Sequence, residues 1–325
     1  MTARKIFVHI SLLVMLLVGS AVTALPAAAA TCTAAERHEA DKWLWLSQAD
    51  KNASIARNLP WGAPAPTEPV SGERQLVQQD YVIGYDTALR VPLWTAERVT
   101  ASKLGKVSRS NCFRKDVRLK SADASTPSDY SEPIFDQGHV TPSADMTMSA
   151  IAVDNSFIMS NMTPQFCQFN RGVWQILEEI VRRWAVEYGT IYVVSGSIFD
   201  RDGNGVRDPD EAALRMTSNN QKKRVAIPSA FFKIVALKDA DGKVETLSIL
   251  LPNDQTDLDR AEAVAYLGQH ITSLAHIEQL TGLDLLPNAP VALVEHVALW
   301  PFTGAPPRSL ARGAQCAATA GAVIP

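Results

Sequence analysis

The chain is short of positive charge. Its 31 Lys and Arg are outnumbered by 34 Asp and Glu, which leaves a formal net charge of −3. Bulk electrostatics of that sign excludes indiscriminate binding to a polyanion. Any nucleic-acid surface must be a local basic patch helped by metal ions. Zinc signatures are missing too: the four cysteines form no CxxC pair and no Cys/His cluster. There are no internal repeats, so a solenoid is not expected.

What is present is enough apolar material for a sizeable core, at 46% hydrophobic and 20% charged residues. The first segment reads as a secretory signal peptide over residues 1–30. Arg4 and Lys5 precede an apolar run from Ile6 to about Val22, and Ala28-Ala29-Ala30 offers a small-residue cleavage site. The run is short for a spanning helix, so no stable membrane association is expected once it is removed. No leucine lies three residues before Cys32, which disfavours lipid attachment. Loss of Arg4 and Lys5 takes the formal charge from −3 to −5. Cys32, Cys112, Cys167 and Cys316 all lie in the expected mature chain, and an even count in an exported protein implies two disulfides with three pairings open. Free buried thiols are the alternative. The expected location is secreted or periplasmic.

Patterning suggests an N-terminal helix over residues 34–58, then a Pro-rich arm (Pro60, Pro64, Pro66, Pro69) to residue 79. Strands are expected at residues 81–85, 92–99, 190–198, 224–227, 231–237 and 244–251. Val173, Ile176, Leu177, Ile180, Val181 and Trp184 recur at helical spacing, predicting a helix over residues 172–188 that ends at Gly189. Residues 257–280 hold one or two helices, broken near Ile271. The main domain is placed at residues 80–286, and 287–325 reads as a tail packed on the core. The mixture is α+β with a mainly antiparallel sheet.

One region names a chemistry. Asp136-Gln137-Gly138-His139-Val140-Thr141-Pro142 is followed by Asn161-Met162-Thr163-Pro164-Gln165 and then by Asn170-Arg171-Gly172-Val173-Trp174, leading to Glu178. Phosphodiester hydrolysis needs a deprotonated water, positive charge on the developing phosphorane and help for the leaving oxygen. A neutral histidine can take the water proton near pH 7, and His139 is the candidate. Gly138 is expected to permit a tight backbone turn, and Pro142 to stop the strand from continuing. Asn170, Trp174, Glu178 and Arg182 are four residues apart, so a helix would line them along one stripe. An amide oxygen suits a largely hydrated Mg²⁺, and Glu178 could hold its waters. Taken singly, Asn170 also reads as a helix N-cap, Glu178–Arg182 as an ordinary ion pair, and His139 as a loop histidine.

The run from Asp136 to Glu178 resembles the DNA/RNA non-specific endonucleases, the ββα-metal (His-Me finger) nucleases that include endonuclease G. The resemblance rests on His139, Pro142, Asn161, Pro164, Gln165, Asn170, Gly172, Trp174, Leu177 and Glu178. Weaker similarities over residues 195–199, 227–235 and 277–283 extend it to roughly residues 80–286. It implies a ββα-metal fold with a central, mainly antiparallel sheet flanked by helices. It also implies an endonuclease acting on DNA, RNA or both with little sequence preference, using Mg²⁺ or Mn²⁺. His139 would be the general base, with Asn161, Glu178 and Arg182 in catalytic roles, Asn161 as a support of the site, and Asn170 the metal ligand. Gln137, Arg109 and Arg171 would contact substrate, with Arg114 a rival to Arg109. The family's motif arginine is Gln137 here, which donates a hydrogen bond but carries no charge, so an attenuated or more selective enzyme is expected. The alternatives are a non-catalytic nucleic-acid-binding module on the same scaffold and a phosphodiesterase for another ester.

A second stretch, residues 200–211, fits the calcium-loop pattern D-x-[DN]-x-[DN]-G-x5-E, with Asp200, Asp202, Asn204, Val206, Asp208 and Glu211 as candidate ligands for a structural Ca²⁺. An Asp/Gly-rich turn without metal is the alternative.

Overall fold

The computed structural model describes residues 31–68, 72–217, 225–239, 241–290, 294–302 and Cys316. The signal-peptide expectation and most of the C-terminal tail fall outside the described residues. In chain order the elements are α1 (Ala34–Lys42), α2 (Gln48–Asn58), β1 (Ala65–Pro66), β2 (Glu73–Val77), β3 (Tyr81–Asp86), β4 (Val91–Thr100), β5 (Phe135–His139), α3 (Ala150–Ser156), β6 (Met162–Phe166), α4 (Cys167–Phe169), α5 (Gln175–Tyr188), β7 (Thr190–Ile198), β8 (Ala230–Lys238), β9 (Val244–Pro252), α6 (Arg260–Gln269), β10 (Ile271–Thr272), α7 (Leu274–Thr281), β11 (Leu283–Asp284) and β12 (Val294–Glu295).

The main sheet runs β10-β9-β8-β7-β4-β3-β2, every neighbour antiparallel, and β12 joins β9 in parallel. The period of two along β3 sends Val82 into one apolar cluster and Tyr81, Ile83 and Tyr85 into another. The larger cluster also takes the apolar stripe of α5, with Ile176, Leu177, Ile180, Val181 and Trp184 all buried. Fully burying five such side chains removes each from water at a gain of about 1.5–3 kcal/mol, enough to lock the helix to the sheet.

Several expectations shift on inspection. The single helix expected over residues 34–58 is two. Ser47 accepts from the Asp50 amide at 3.1 Å and caps α2, while Leu44 in the connector is buried. Helix α5 begins at Gln175 rather than Gly172, because Gly172 has non-helical φ −106° and ψ −112° inside a wide turn over Asn170–Trp174. It does end at Gly189, with φ 79°. The strand expected at residues 224–227 is an isolated bridge between Arg215 and Ala226. Its amides turn elsewhere: Ala226 donates to the Leu89 carbonyl and Ile227 to that of Leu214. The break near Ile271 is there. Ile271–Thr272 leaves the helix to pair with β9, and Ser273 caps the next one.

Two disulfides, Cys32–Cys112 and Cys167–Cys316, select one of the three pairings. Among the described residues no helix is long and apolar enough to cross a membrane.

Candidate active site

Strands β5 and β6 form a separate two-stranded ribbon in which Asp136 faces Gln165 and His139 faces Met162. The chain then passes through α4 and the wide turn into α5, giving strand, strand and helix in immediate succession. Gly138 has no positive φ and makes no turn. Its role is clearance: a Cβ there would lie 2.2 Å from the Gln165 side chain. That close approach lets Gln165 Nε2 donate to the His139 carbonyl at 3.3 Å, and Trp174 Nε1 donates to the same oxygen at 3.3 Å.

Behind the ribbon, Asn161 is fully buried. Its Nδ2 donates to the carbonyls of Thr141 and Ser156, and its Oδ1 accepts from the Thr141 amide at 3.0 Å. Every polar atom of the side chain is thereby committed, to the loop that follows His139 and to the end of α3. Asn161 does not border the cleft, a placement in keeping with the supporting role expected for it.

In front lies a cleft of ≈ 740 Å³ bordered by Arg109, Gln137, His139, Asn170, Arg171, Glu178 and Arg182. The remaining site residues suggested by the sequence thus converge on one space. The rival Arg114 does not. It is buried, paired with Asp41 at 2.7 Å, and donates to the Asp154 carbonyl at 2.6 Å. Arg109 faces the cleft, donates to Ser143 Oγ at 3.0 Å, and lies 4.8 Å from the centre of the Phe157 ring. The His139 ring stands edge to face against Phe157, centroids 4.6 Å apart at 87°. Its Nε2 is buried without a hydrogen bond among the described residues. Burial, reinforced by the nearby Arg109 charge, holds its pKa well below the usual imidazole value.

Asp136 organises the other wall. It accepts from Asn170 Nδ2 at 2.8 Å and takes Arg171 in a two-pronged ion pair, Nε at 2.8 Å and Nη2 at 2.6 Å. With its amide nitrogen committed to Asp136, Asn170 presents an oxygen that accepts no hydrogen bond among the described residues. A hard neutral oxygen, fixed at a cleft wall with a carboxylate on the following helix, fits one-point attachment of a hydrated divalent cation. Asn170 is not the helix N-cap that its residue type suggests: it sits in αR geometry and closes α4 as the C-cap, its backbone N–H donating to the Cys167 carbonyl. Arg171, expected to bind substrate, is held by Asp136. Arg182 pairs with Asp145 at 2.8 Å rather than with Glu178. Gln137 donates weakly to the Pro127 carbonyl at 3.3 Å, and its Oε1 is buried and unpartnered.

Beneath the cleft lie charges that sequence reasoning passed over. Lys233 and Glu97 are both buried in the main sheet. Lys233 Nζ donates to Ser195 Oγ at 2.6 Å and lies 4.5 Å from the Trp174 ring centre. Burial lowers the Lys233 pKa and raises that of Glu97 well above the carboxylate range. Glu178 is pushed up to about 7 by burial, with Arg182 and Lys233 pulling the other way. The available signal for Lys233 was a lone charge inside the apolar run Phe231-Phe232-Lys233-Ile234-Val235. For Asp136 and Asp145 it was their place in the His139 stretch.

Residues 200–211 stand apart from the cleft. Oxygens of Asp200, Asp202 and Asp208 lie within 4.8 Å of one another, and Glu211 is not in that group. Asn204 Oδ1 accepts from the Val206 amide at 2.9 Å.

A strand–strand–helix unit that sets a histidine across a cleft from a cation-ready asparagine defines a ββα-metal nuclease. The comparisons agree. The family model for DNA/RNA non-specific endonuclease matches residues 63–292, and the chain belongs to that family. Mitochondrial endonuclease G of Bos taurus is 30% identical over 278 residues, covering 77% of this chain and 88% of that protein. Nuclease C1 of Cunninghamella echinulata var. echinulata is 30% identical over 230 residues, covering 69% and 87%. A solved structure of EndoG in complex with EndoGI superposes with a TM-score of 0.60 at 25% identity, covering 73% of this chain and 93% of that one. The protein is therefore an enzyme of the phosphodiester-hydrolysing nucleases, a family that depends on divalent metal.

The histidine environment gives a direct expectation. The folded pKa of His139 is depressed, so below pH 6.5 the unfolded chain takes up a proton that the folded chain refuses. This group therefore draws stability down as pH falls below the unfolded value of about 6.5. In an NMR titration the His139 ring should still be neutral at about pH 6.5, with its midpoint well below. A midpoint at or above that value would contradict the burial and the Arg109 field described for it.

Proposed function

We propose that the protein is an exported endonuclease that hydrolyses phosphodiester bonds of DNA and RNA, with His139 as general base and one Mg²⁺ held through Asn170 Oδ1. The observation that carries this reading is the convergence of a neutral, buried imidazole and an amide oxygen without a hydrogen bond among the described residues on the same ≈ 740 Å³ cleft. Export is supported by the signal-like N-terminus and by two disulfides, which persist in oxidising compartments.

The His139 imidazole takes the proton of the attacking water, a transfer that its neutral state permits across the physiological range. Arg109 lies in the cleft without a carboxylate partner closer than 4 Å among the described residues, so its guanidinium is available to a phosphate oxygen. Arg182, steadied by Asp145, adds positive charge on the same side. Glu178 orders water beside Asn170. Asp136 keeps the Asn170 amide in one orientation, and Asn161 keeps the loop after His139 in register. A divalent cation at Asn170 would supply positive charge to the scissile phosphate and the leaving oxygen. Gln137 contributes no charge, which points to slower turnover than an arginine would give.

The mature protein incubated with plasmid DNA and with RNA should cleave both in Mg²⁺ and neither in chelator. His139→Ala should lower the rate by a factor on the order of 10² or more. Mg²⁺-dependent cleavage surviving undiminished in His139→Ala would remove the base assignment. For residues 200–211 the proposal is a structural Ca²⁺ on Asp200, Asp202 and Asp208. It predicts a melting temperature that rises on calcium titration of metal-free protein and stops rising in Asp202→Ala; an unchanged melting temperature in the unsubstituted protein would leave the loop as a plain turn.

A further inference from the structure

Phe157 is buried completely, at the C-terminal end of α3, and no part of it borders the cleft. Yet both reacting side chains rest on it. The His139 ring meets it edge to face at 4.6 Å and 87°, and the Arg109 guanidinium lies 4.8 Å from its centre. Phe113 completes the cluster, edge to face with Phe157 at 4.9 Å and 6.0 Å from the His139 ring. The support behind this group is unusually stiff. Met159 donates its amide to the Arg114 carbonyl at 2.9 Å, and the Arg114 amide returns to Phe157 O at 3.4 Å. The Arg114 guanidinium then grips the Asp154 carbonyl and the Asn155 side chain. Cys112, disulfide-linked to Cys32, packs in the same apolar cluster as Phe157 and Val153.

We infer that Phe157 is a positioning residue for the nuclease reaction: one aromatic ring fixes the distance and orientation between the base His139 and the phosphate-binding cation Arg109. The face of an aromatic ring attracts a guanidinium and, at right angles, the positive edge of a second ring. A single buried phenyl thereby orients two polar groups that would otherwise each need a hydrogen-bonding partner. It also fills the space behind the imidazole that water would enter. The charge that acts on the His139 ring is Arg109, from the segment before Cys112, and Glu178 and Arg182 of α5 line the same cleft. Truncating Phe157 therefore changes both the solvation of His139 and the placement of Arg109, in one substitution. The inference rests on the base assignment of His139.

The experiment compares Phe157→Leu with Val153→Ala, a truncation in the same apolar cluster that leaves the Phe157 ring in place. Both should lower the melting temperature. Phe157→Leu alone should move the His139 NMR midpoint upward toward about 6.5 and raise KM for nucleic acid roughly three- to fivefold, the loss expected for a cation–π contact. Val153→Ala should leave midpoint and KM at their original values. A Phe157→Leu protein that stays folded with an unmoved midpoint and unmoved KM overturns the positioning role, as does a Val153→Ala protein that shifts them equally. Failure of the base assignment itself would be seen separately, as undiminished cleavage by His139→Ala.

Discussion

The site depends on one carboxylate. Asp136 lies in β5 three residues before His139 and points both oxygens at the wide turn that leads into α5. Through Asn170 it fixes an amide whose oxygen accepts no hydrogen bond among the described residues. Through Arg171 it neutralises itself, so that the negative charge does not oppose an incoming phosphate. The strand pairing of Asp136 with Gln165 and of His139 with Met162 carries this alignment along the ribbon. A one-residue slip would turn every side chain of β5 to the other face and separate the base from the asparagine.

Charge economy follows from the same arrangement. An acidic protein that works on a polyanion has to present its few cations where they count. Arg171 and Arg182 are each held by a carboxylate, at Asp136 and Asp145. Arg109 is held instead by an aromatic face and a serine hydroxyl, so its charge is not cancelled. The buried Lys233 behind the helix adds positive potential under Glu178 without being exposed to solvent. Gln137, in the place of a family arginine, removes one more cation from the cleft, which makes the remaining ones more consequential.

The elements that read clearly from the sequence were those with strong periodicity. Helix α5 and strands β3, β4, β7, β8 and β9 all announce themselves through apolar patterning, and the order His139, Asn170, Glu178 identified the chemistry. What did not read was set by contacts between distant residues. Nothing local says that Arg171 will turn back to Asp136, that Arg114 will be buried while Arg109 reaches the cleft, or that Gly138 clears space for Gln165 rather than making a turn. The split of the first helix at Ser47 was visible as a capping residue, but the pull of Leu44 into the core was not. Residues 224–227 looked like a strand by composition, yet their amides are taken by Leu89 and Leu214 from separate segments.

The central claim is that Asp136 holds Asn170 in the orientation that binds the cation. Asp136→Asn keeps the size of the side chain and removes its charge, which frees Arg171 and lets the Asn170 amide turn over. Measuring the Mg²⁺ concentration that gives half-maximal plasmid cleavage tests this directly. The account predicts that the required concentration rises about tenfold or more, in line with the loss of an outer partner of a metal ligand, while the His139 NMR midpoint stays where it was. An unchanged Mg²⁺ requirement would contradict it.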